Sequence, residues 1–504
     1  MKTAGDAPSV QHGSLDEKAD ESTMQISALD IEDKDEALKL VGLERTAGID
    51  EERFLKVRRK LDLVIIPLCA AVYFTQYLDK NVLNYASIMG LPIIGQHYNL
   101  AALAFYLGFL IWVFPTMYIS QKLRLGKYLG TNIVLWGIIM MLHAVPNSFG
   151  PFFVLRILLG MLESCVSPAL VLIISMFYKK NEQTGIGNMF GFVAYGISFD
   201  TRTGFAPYKV LYLLCGAMAI TVGIAVLIWM PDSPLHARFL SQEERIVAVE
   251  RVRDDQGGTE NKRLKKEQLR ETLLDVRTWL IVLSTLITSI PNGGLSNFGN
   301  IIIKSFGYTQ TLILSAPGGI VGILASLILG WYSDRTNERM LPIVYSLIPT
   351  ITGAAMLVGL QGPENKGPLL FANYIVLTFG SCFGVIYAYN ASNTSGHTKK
   401  VTLNAMTLAA FCVGNIIGSE IFQAKDAPHY IPGKVTILVL LSVQFFLCFL
   451  LRWVNLHMNA KKKQFIEEMK ERHSWSDVDI AKERERHAFL DLTDKQNPYF
   501  IYTS

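Results

Sequence analysis

Apolar residues gather along this chain in blocks of roughly 17–25, the length that crosses the hydrocarbon core of a bilayer as a helix. They fall at 61–78, 101–120, 128–144, 152–177, 209–230, 278–298, 312–331, 341–360, 369–389, 401–422 and 435–454, with a weaker block, fifth in order, at 184–199. A soluble chain of 504 residues would divide into domains joined by polar linkers. Here half the residues are apolar, 18% are charged, and the apolar half is concentrated in the blocks. The fold class that follows is an all-α polytopic membrane protein with twelve transmembrane helices. The lipid bilayer is its first partner, and a monomer is expected.

Basic residues fix the expected topology. Lys56, Arg58, Arg59 and Lys60 precede the first block, Lys461, Lys462 and Lys463 follow the last, and ten Lys/Arg lie between Pro231 and Thr278. Cytoplasmic flanks carry such an excess, so both termini and the middle loop are read as cytoplasmic, which an even number of spans satisfies. The short loops fit only loosely, with Lys122, Arg124 and Lys127 inside but Arg202, Lys425 and Lys434 outside. Six spans, a charged linker and six more spans is the pattern of two pseudo-symmetric bundles. The division is a cytoplasmic, disordered tail (1–55), an N-terminal six-helix bundle (56–230), a cytoplasmic central loop (231–277), a C-terminal six-helix bundle (278–454) and a cytoplasmic C-terminal tail (455–504). Residues 1–55 contain no apolar run, so no signal peptide is read and the first span serves as anchor. The six cysteines all sit in apolar spans at no metal-like spacing, and read as small packing residues. A net charge of +4 says little about partners.

Within the linker, Ser241 followed by Glu244 is a capping-box start. Ile246, Val249 and Val252 then make one apolar stripe, predicting a short amphipathic helix on the cytoplasmic membrane face. Pro291-Asn-Gly-Gly294 is expected to interrupt the seventh span, since proline lacks an N–H and glycine resists helix.

Ionisable residues at membrane depth are costly and mark function by default. Asp79 and Lys80 end the first span; Arg156 and Glu163 lie in the fourth. Seven residues is nearly two turns, so Arg156 and Glu163 share a face roughly 10 Å apart along the axis. Gly160 lies between them, where another helix can approach closely. Two acids and two bases can simply neutralise one another. Alternatively, a base holds a substrate carboxylate while an acid takes up a proton. The second half offers polar groups instead: Asn292 and Asn297 in the seventh span, Tyr387, Tyr389, Asn390 and Asn393 near the end of the tenth, and Asn415 in the eleventh. For these, helix packing and substrate contact stand level. Glu420 reads as interfacial. No Gly-rich phosphate loop, His/Cys metal spacing or nucleophile motif is present, so no enzyme, metal, cofactor or nucleic-acid partner is expected.

Gly330-Trp-Tyr-Ser-Asp334-Arg335, between the eighth and ninth spans, resembles the loop signature of the major facilitator superfamily. Its glycine would let helices approach, and its acid and base would latch helix ends. The matching loop at 120–127 lacks the acid. Ile290-Pro-Asn-Gly-Gly-Leu-Ser-Asn-Phe298, Phe306-Gly-Tyr308 and Ala316-Pro-Gly318 are similar to the fungal allantoate-permease family of anion:cation symporters. So are Pro231-Asp-Ser-Pro234, Gly396-His-Thr-Lys-Lys400, Gly414-Asn-Ile-Ile-Gly418, Asp426-Ala-Pro-His-Tyr430 and Asp491-Leu-Thr-Asp-Lys-Gln-Asn-Pro-Tyr-Phe-Ile-Tyr502. The resemblance runs from about residue 53 to the end of the chain. It implies proton-coupled import of a small organic anion such as allantoate, ureidosuccinate, nicotinate or pantothenate, most simply at the plasma membrane. Carried over from more distant organic-anion symporters, Lys80 and Arg156 become anion-coordinating and Asp79 and Glu163 proton-coupling. Asn292, Tyr387 and Asn390 complete the candidate substrate site, with Gly330, Asp334 and Arg335 as the gating signature.

Two departures stand out. Lys80 occupies a position where the family usually has arginine, giving a point charge in place of a bidentate fork. Only residues 181–193 join the Tyr178-Lys-Lys180 and Ala194-Tyr-Gly196 motifs, roughly fifteen fewer than the family pattern, and the span at 184–199 is short for a bilayer. That shortness keeps a transport-dead sensor open as an alternative, beside a metabolite exporter.

Overall fold

The computed structural model describes residues 51–178, 207–233, 236–253, 265–306, 311–336, 338–360, 363–473, 476, 480 and 492–503. All regular structure among them is helical. The first half contains α1 (Glu51–Ile88), α2 (Gln96–Lys122), α3 (Leu125–Leu142), α4 (Phe149–Glu163), α5 (Val166–Phe177) and α6 (Pro207–Trp229). Two linker helices follow, α7 (Gln242–Arg253) and α8 (Lys266–Leu274). The second half contains α9 (Val276–Ser305), α10 (Thr311–Thr336), α11 (Met340–Gly359), α12 (Lys366–Val376), α13 (Ser381–Asn393), α14 (His397–Glu420) and α15 (Ile431–His473). A 3-10 turn, Leu377–Gly380, joins α12 to α13.

Among the described residues ten helical segments are long and apolar enough to cross a bilayer, and a shorter apolar stretch, Pro317–Ser333, lies in α10. These coincide with eleven of the predicted blocks; the block at 184–199 lies outside the described residues. Large apolar side chains such as Ile228, Trp229, Phe446 and Trp453 point outward, 59%, 60%, 70% and 62% exposed. Outward-facing apolar side chains of this kind suit lipid, where water would oppose them.

The two halves repeat one packing plan. The third span packs on the sixth (α3 on α6) as the ninth packs on the twelfth (α11 on α15). The second span packs on the fourth (α2 on α4) as the eighth packs on the tenth (α10 on α13). The halves meet where α2 lies against α14 and α1 against α9. We call the face where α1 begins and residues 492–503 dock proximal, and the opposite face distal. At the distal face several bonds cross between the halves. Tyr98 donates to the carbonyl of Asn297 (2.6 Å), Asn99 to that of Phe422 (3.1 Å), and Gln96 to Glu420 (3.0 Å). The Asn300 N–H donates to Asn84 (3.2 Å).

Close approach of helices depends on glycine at two seams. A Cβ on Gly160 would sit 1.9 Å from the Phe105 carbonyl oxygen, and one on Gly108 2.1 Å from that of Ile157, so α2 and α4 are in backbone contact. The expected role of Gly160 is thus observed. The expected interruption of the seventh span is not: α9 continues through Pro291-Asn-Gly-Gly294. Tertiary packing outweighs local propensity here. A Cβ on Gly418 would meet the Ile290 carbonyl oxygen at 2.2 Å, and one on Gly293 would meet that of Asn415 at 2.6 Å. The glycines serve as a bed for α14, and bonds from Asn292 to Asn415 (2.8 Å) and from Asn297 to Ser419 (3.3 Å) fix the pair.

The linker capping box forms as expected, with Ser241 N–H donating to Glu244 (3.0 Å) and Glu244 N–H to the Ser241 hydroxyl (3.3 Å). Val247 and Ala248 of α7 are buried where the helix docks on α1 and α5, Ile246 is partly buried, and the side chains of Val249 and Val252 lie outside the description. Lys60 of α1 reaches Glu244 at 2.6 Å, and this bond draws the Glu244 carboxyl below its ordinary range.

Beyond the last span, residues 492–503 turn back into the proximal end of the second half. Asp494, fully buried, bonds Arg277 of α9 at 3.1 Å and Lys399 of α14 at 2.9 Å. Lys399 also bonds Glu271 (2.9 Å) and Asp275 (3.1 Å). Burial pushes the Asp275 carboxyl up, but Lys399 and Lys495 together hold it below the usual carboxylate range. Lys462 of α15 donates to the carbonyls of Asn497 (2.9 Å) and Phe500 (3.1 Å), and the Arg277 guanidinium lies 4.1 Å from the Tyr502 ring. Asn393 of α13 donates to Thr503 at 2.7 Å. Burial and Asp494 together push the Tyr502 phenol up.

Candidate functional site

Three helices of the first half bring the predicted charges together. Asp79, on α1, is 2% exposed, and its Oδ2 accepts from the indole N–H of Trp136 on α3. Glu163 is the last residue of α4 and 1% exposed; its Oε2 accepts from Gln76 of α1 at 3.2 Å. The Asp79 and Glu163 carboxyls face each other within hydrogen-bonding reach. Their remaining oxygens, Oδ1 and Oε1, are buried with no other partner. The chain breaks its helix directly after Glu163, at Ser164–Cys165, and resumes as α5. Pro168 explains the break, because it has no N–H to offer the carbonyl one turn back.

Arg156 lies on the buried face of α4 with Gly160 and Glu163, as the spacing predicts. It is 3% exposed, its Nε has no partner, and no hydrogen bond or ion pair joins it to either acid among the described residues. Its electrostatic neighbours also include Tyr98, Tyr106, Tyr212 and His143. Lys80, half-buried on α1, places its ammonium 5.3 Å from the ring of Phe411 on α14. Two bases and two acids occupy one region without forming the pairs that mutual neutralisation would require.

The second half contributes less directly. Asn292 is committed to Asn415, which bonds back to the Phe411 carbonyl at 2.7 Å. Tyr387 is 41% exposed on α13. Asn390 is 2% exposed, both ends of its amide are unpartnered, and it sits one turn from Asn393, at the proximal end of α13. No hydrogen bond among the described residues joins Asn390 to Lys80 or Arg156. In the loop signature, Gly330 and Arg335 fall in the last turns of α10, with Arg335 stacked on Trp331 at 5.4 Å; the Asp334 side chain lies outside the description. Beside it, Arg452 of α15 reaches Glu338 at 3.0 Å.

Trp136 and Gln76 were not singled out by sequence. A tryptophan inside an apolar block carries the signature of packing, and only its buried N–H, which needs an acceptor, hints at more.

The sequence pattern described as Major Facilitator Superfamily matches residues 69–419. An uncharacterized transporter of Schizosaccharomyces pombe, C417.10, is 35% identical over 476 residues, covering 90% of each chain. The allantoate permease of Saccharomyces cerevisiae is 32% identical over 504 residues, covering 94% of this chain and 91% of that one. A bacterial homolog of the human lysosomal transporter Spinster, in an inward-facing and unoccupied conformation, superposes with a TM-score of 0.57 at 13% identity, over 80% of this chain and 98% of the other. The nucleoside transporter NupG superposes at 0.53 and 13% identity, over 77% and 99%. The chain therefore belongs to the major facilitator superfamily, among the fungal transporters that include the allantoate permease. It is an integral membrane transporter, not an enzyme.

Proposed function

We propose that this transporter carries a small organic anion together with a proton, with Arg156 and Lys80 receiving the anion and Glu163 carrying the proton. The observation that supports this most is the buried Arg156, whose Nε has no hydrogen-bond partner and which forms no ion pair with Asp79 or Glu163 among the described residues. An unpaired charge at this depth costs several kcal/mol unless a counter-ion completes it. An anionic substrate is that counter-ion. Two carboxylates in contact repel, and one shared proton removes the repulsion while satisfying both unpartnered oxygens. Glu163 stands at the helix break, the better place for an acid whose surroundings change during transport, and Asp79 is its rival. We read the distal face, where hydrogen bonds join the two halves, as the closed side. With cytoplasmic termini and a plasma-membrane location, proximal is inside, and the cycle runs as import.

The test is a comparison of net uptake with counterflow in a yeast lacking its own permeases. Glu163→Gln mimics the protonated acid, so it should exchange substrate across the membrane yet fail to concentrate it, with little dependence on pH. Accumulation at the wild-type level with the wild-type pH profile would remove Glu163 from the coupling role; the same comparison on Asp79→Asn decides between the two acids.

A further inference from the structure

Helix α8 turns its polar side to the protein and its apolar side outward. Its buried residues are Gln268 and Thr272. Gln268 accepts from the Thr398 N–H of α14 at 3.1 Å, and the Thr272 hydroxyl donates to the Gln268 carbonyl at 2.7 Å. Glu271, next to them, bonds Lys399 and accepts from Thr493 of the docked C-terminal segment, both at 2.9 Å. On the outside, Leu269, Leu273 and Leu274 are exposed, and so are Val276 and Trp279 at the start of α9. Helix α7 does the reverse and buries Val247 and Ala248. An apolar outer side over a hydrogen-bonded polar inner side suits a helix whose outward neighbour is not water.

That apolar surface runs into the side of the seventh span that faces lipid. The Trp279 indole N–H donates to the Leu273 carbonyl at 2.8 Å and ties the end of α8 to α9. One turn further along α9, Leu283 is exposed as well. The charges of α8 are placed to match. By helical spacing, Leu269 and Leu273 make one flank, Lys266 and Arg270 the strip beside it, and Glu267 lies on the far flank. Lys266 and Arg270 are exposed, and neither has an ion-pair partner among the described residues.

We infer that α8 lies in the headgroup layer of the proximal leaflet and binds anionic phospholipid there. Leu269, Leu273 and Trp279 enter the boundary of the acyl chains, while Lys266 and Arg270 meet headgroup phosphates. An interfacial helix of this build gains from its buried apolar area and from attraction to anionic lipid together. Tryptophan suits the same depth, because its ring is apolar and its N–H needs an acceptor. A zwitterionic lipid would receive the apolar flank equally well, and the two bases supply the preference for net negative charge. Since Gln268 and Glu271 join α8 to α14, the leaflet sets the depth of the proximal end of the second half. The inference holds whatever the transporter carries.

The experiment uses the full-length chain in vesicles of phosphatidylcholine, with or without phosphatidylserine. The six native cysteines are buried, so an environment-sensitive fluorophore can be placed on Leu269→Cys or on Glu267→Cys. The probe at 269 should be quenched by nitroxide-bearing lipid and shielded from aqueous iodide, and the probe at 267 should show the opposite. Leu273→Cys replaces Leu269→Cys should that variant fail to give monodisperse protein. Quenching of Trp279 by brominated lipid, taken as the difference between wild type and Trp279→Phe, then reads the headgroup. Brominated phosphatidylserine should quench at a lower mole fraction than brominated phosphatidylcholine. Lys266→Gln combined with Arg270→Gln should weaken the phosphatidylserine effect roughly five- to thirtyfold and leave that of phosphatidylcholine in place. Iodide access at 269 equal to that at 267 would put α8 in water and overturn the inference. Equal quenching by the two lipids in the wild type, or a preference untouched by the double substitution, would overturn it too.

Discussion

Arg156 and Lys80 carry the same charge, yet their surroundings give them different work. Arg156 is held on the buried face of α4 with no ion pair to either acid among the described residues, whereas Lys80 rests on an aromatic ring and keeps partial exposure. If Arg156 receives the anion as proposed, truncating it removes a buried charge partner, which costs about 3–5 kcal/mol, or ~100-fold or more in affinity. Arg156→Ala should therefore abolish substrate-dependent thermal stabilisation and uptake, while Arg156→Lys recovers part, since a point charge lacks the fork. Wild-type uptake by Arg156→Ala would show that Lys80 alone suffices. The four charges at membrane depth were legible in the sequence because bilayers penalise each of them. Trp136 and Gln76, which orient the two acids, were not: an indole and an amide are affordable enough in a helical span to look like packing.

At the scale of the helix, glycine decides how near the charges of α4 come to α2. Replacing Gly160 with alanine should raise helix propensity by about 1 kcal/mol, which would stabilise an isolated helix. The added methyl, however, would lie 1.9 Å from the Phe105 carbonyl oxygen, so the backbones must separate. Overpacking of this kind costs typically ~1–3 kcal/mol and should win. Gly160→Ala should lower the midpoint of heat-induced loss of monodisperse protein by several degrees, whereas Gly359→Ala, with nothing within 4 Å of the new methyl, should not. A neutral Gly160→Ala would mean that α2 and α4 do not touch there. Spacing alone exposed Gly160, because Arg156 and Glu163 frame it on one face. It misjudged Pro291-Asn-Gly-Gly294, because composition speaks of an isolated helix and the partner that holds α9 straight, α14, is more than a hundred residues away in the chain. The capping box of α7 was readable for the opposite reason: Ser241 and Glu244 are three residues apart and need nothing else.

For the molecule as a whole, the spans and the pseudo-symmetric plan were legible from hydropathy, but the docking of the C-terminal segment was not. Arg277 reads as one of ten basic residues marking a cytoplasmic loop, and Asp494 reads as part of a solvated tail. In the folded chain they are 4% and 0% exposed at their side chains and bonded to each other. Removing residues 492–504 would take Asp494 from Arg277 and leave Lys399 with Glu271 and Asp275, at a cost of about 3–5 kcal/mol for the uncompensated Arg277. A chain so truncated, carrying a fluorescent protein at its N-terminus, should show reduced full-length, monodisperse material on size-exclusion chromatography, and Asp494→Asn should reproduce most of the loss. Unchanged yield and elution would show that the segment is dispensable.

The distal seam has a consequence for speed. Among the described residues four hydrogen bonds cross it, and at roughly 0.5–1.5 kcal/mol each they favour the distally closed state by about 2–6 kcal/mol. Left uncompensated, even the lower figure would hold the distally open state to about one molecule in thirty. Contacts that form at the proximal face only after the seam parts must return a similar amount. Turnover then depends on how closely two sets of contacts that never coexist match in free energy.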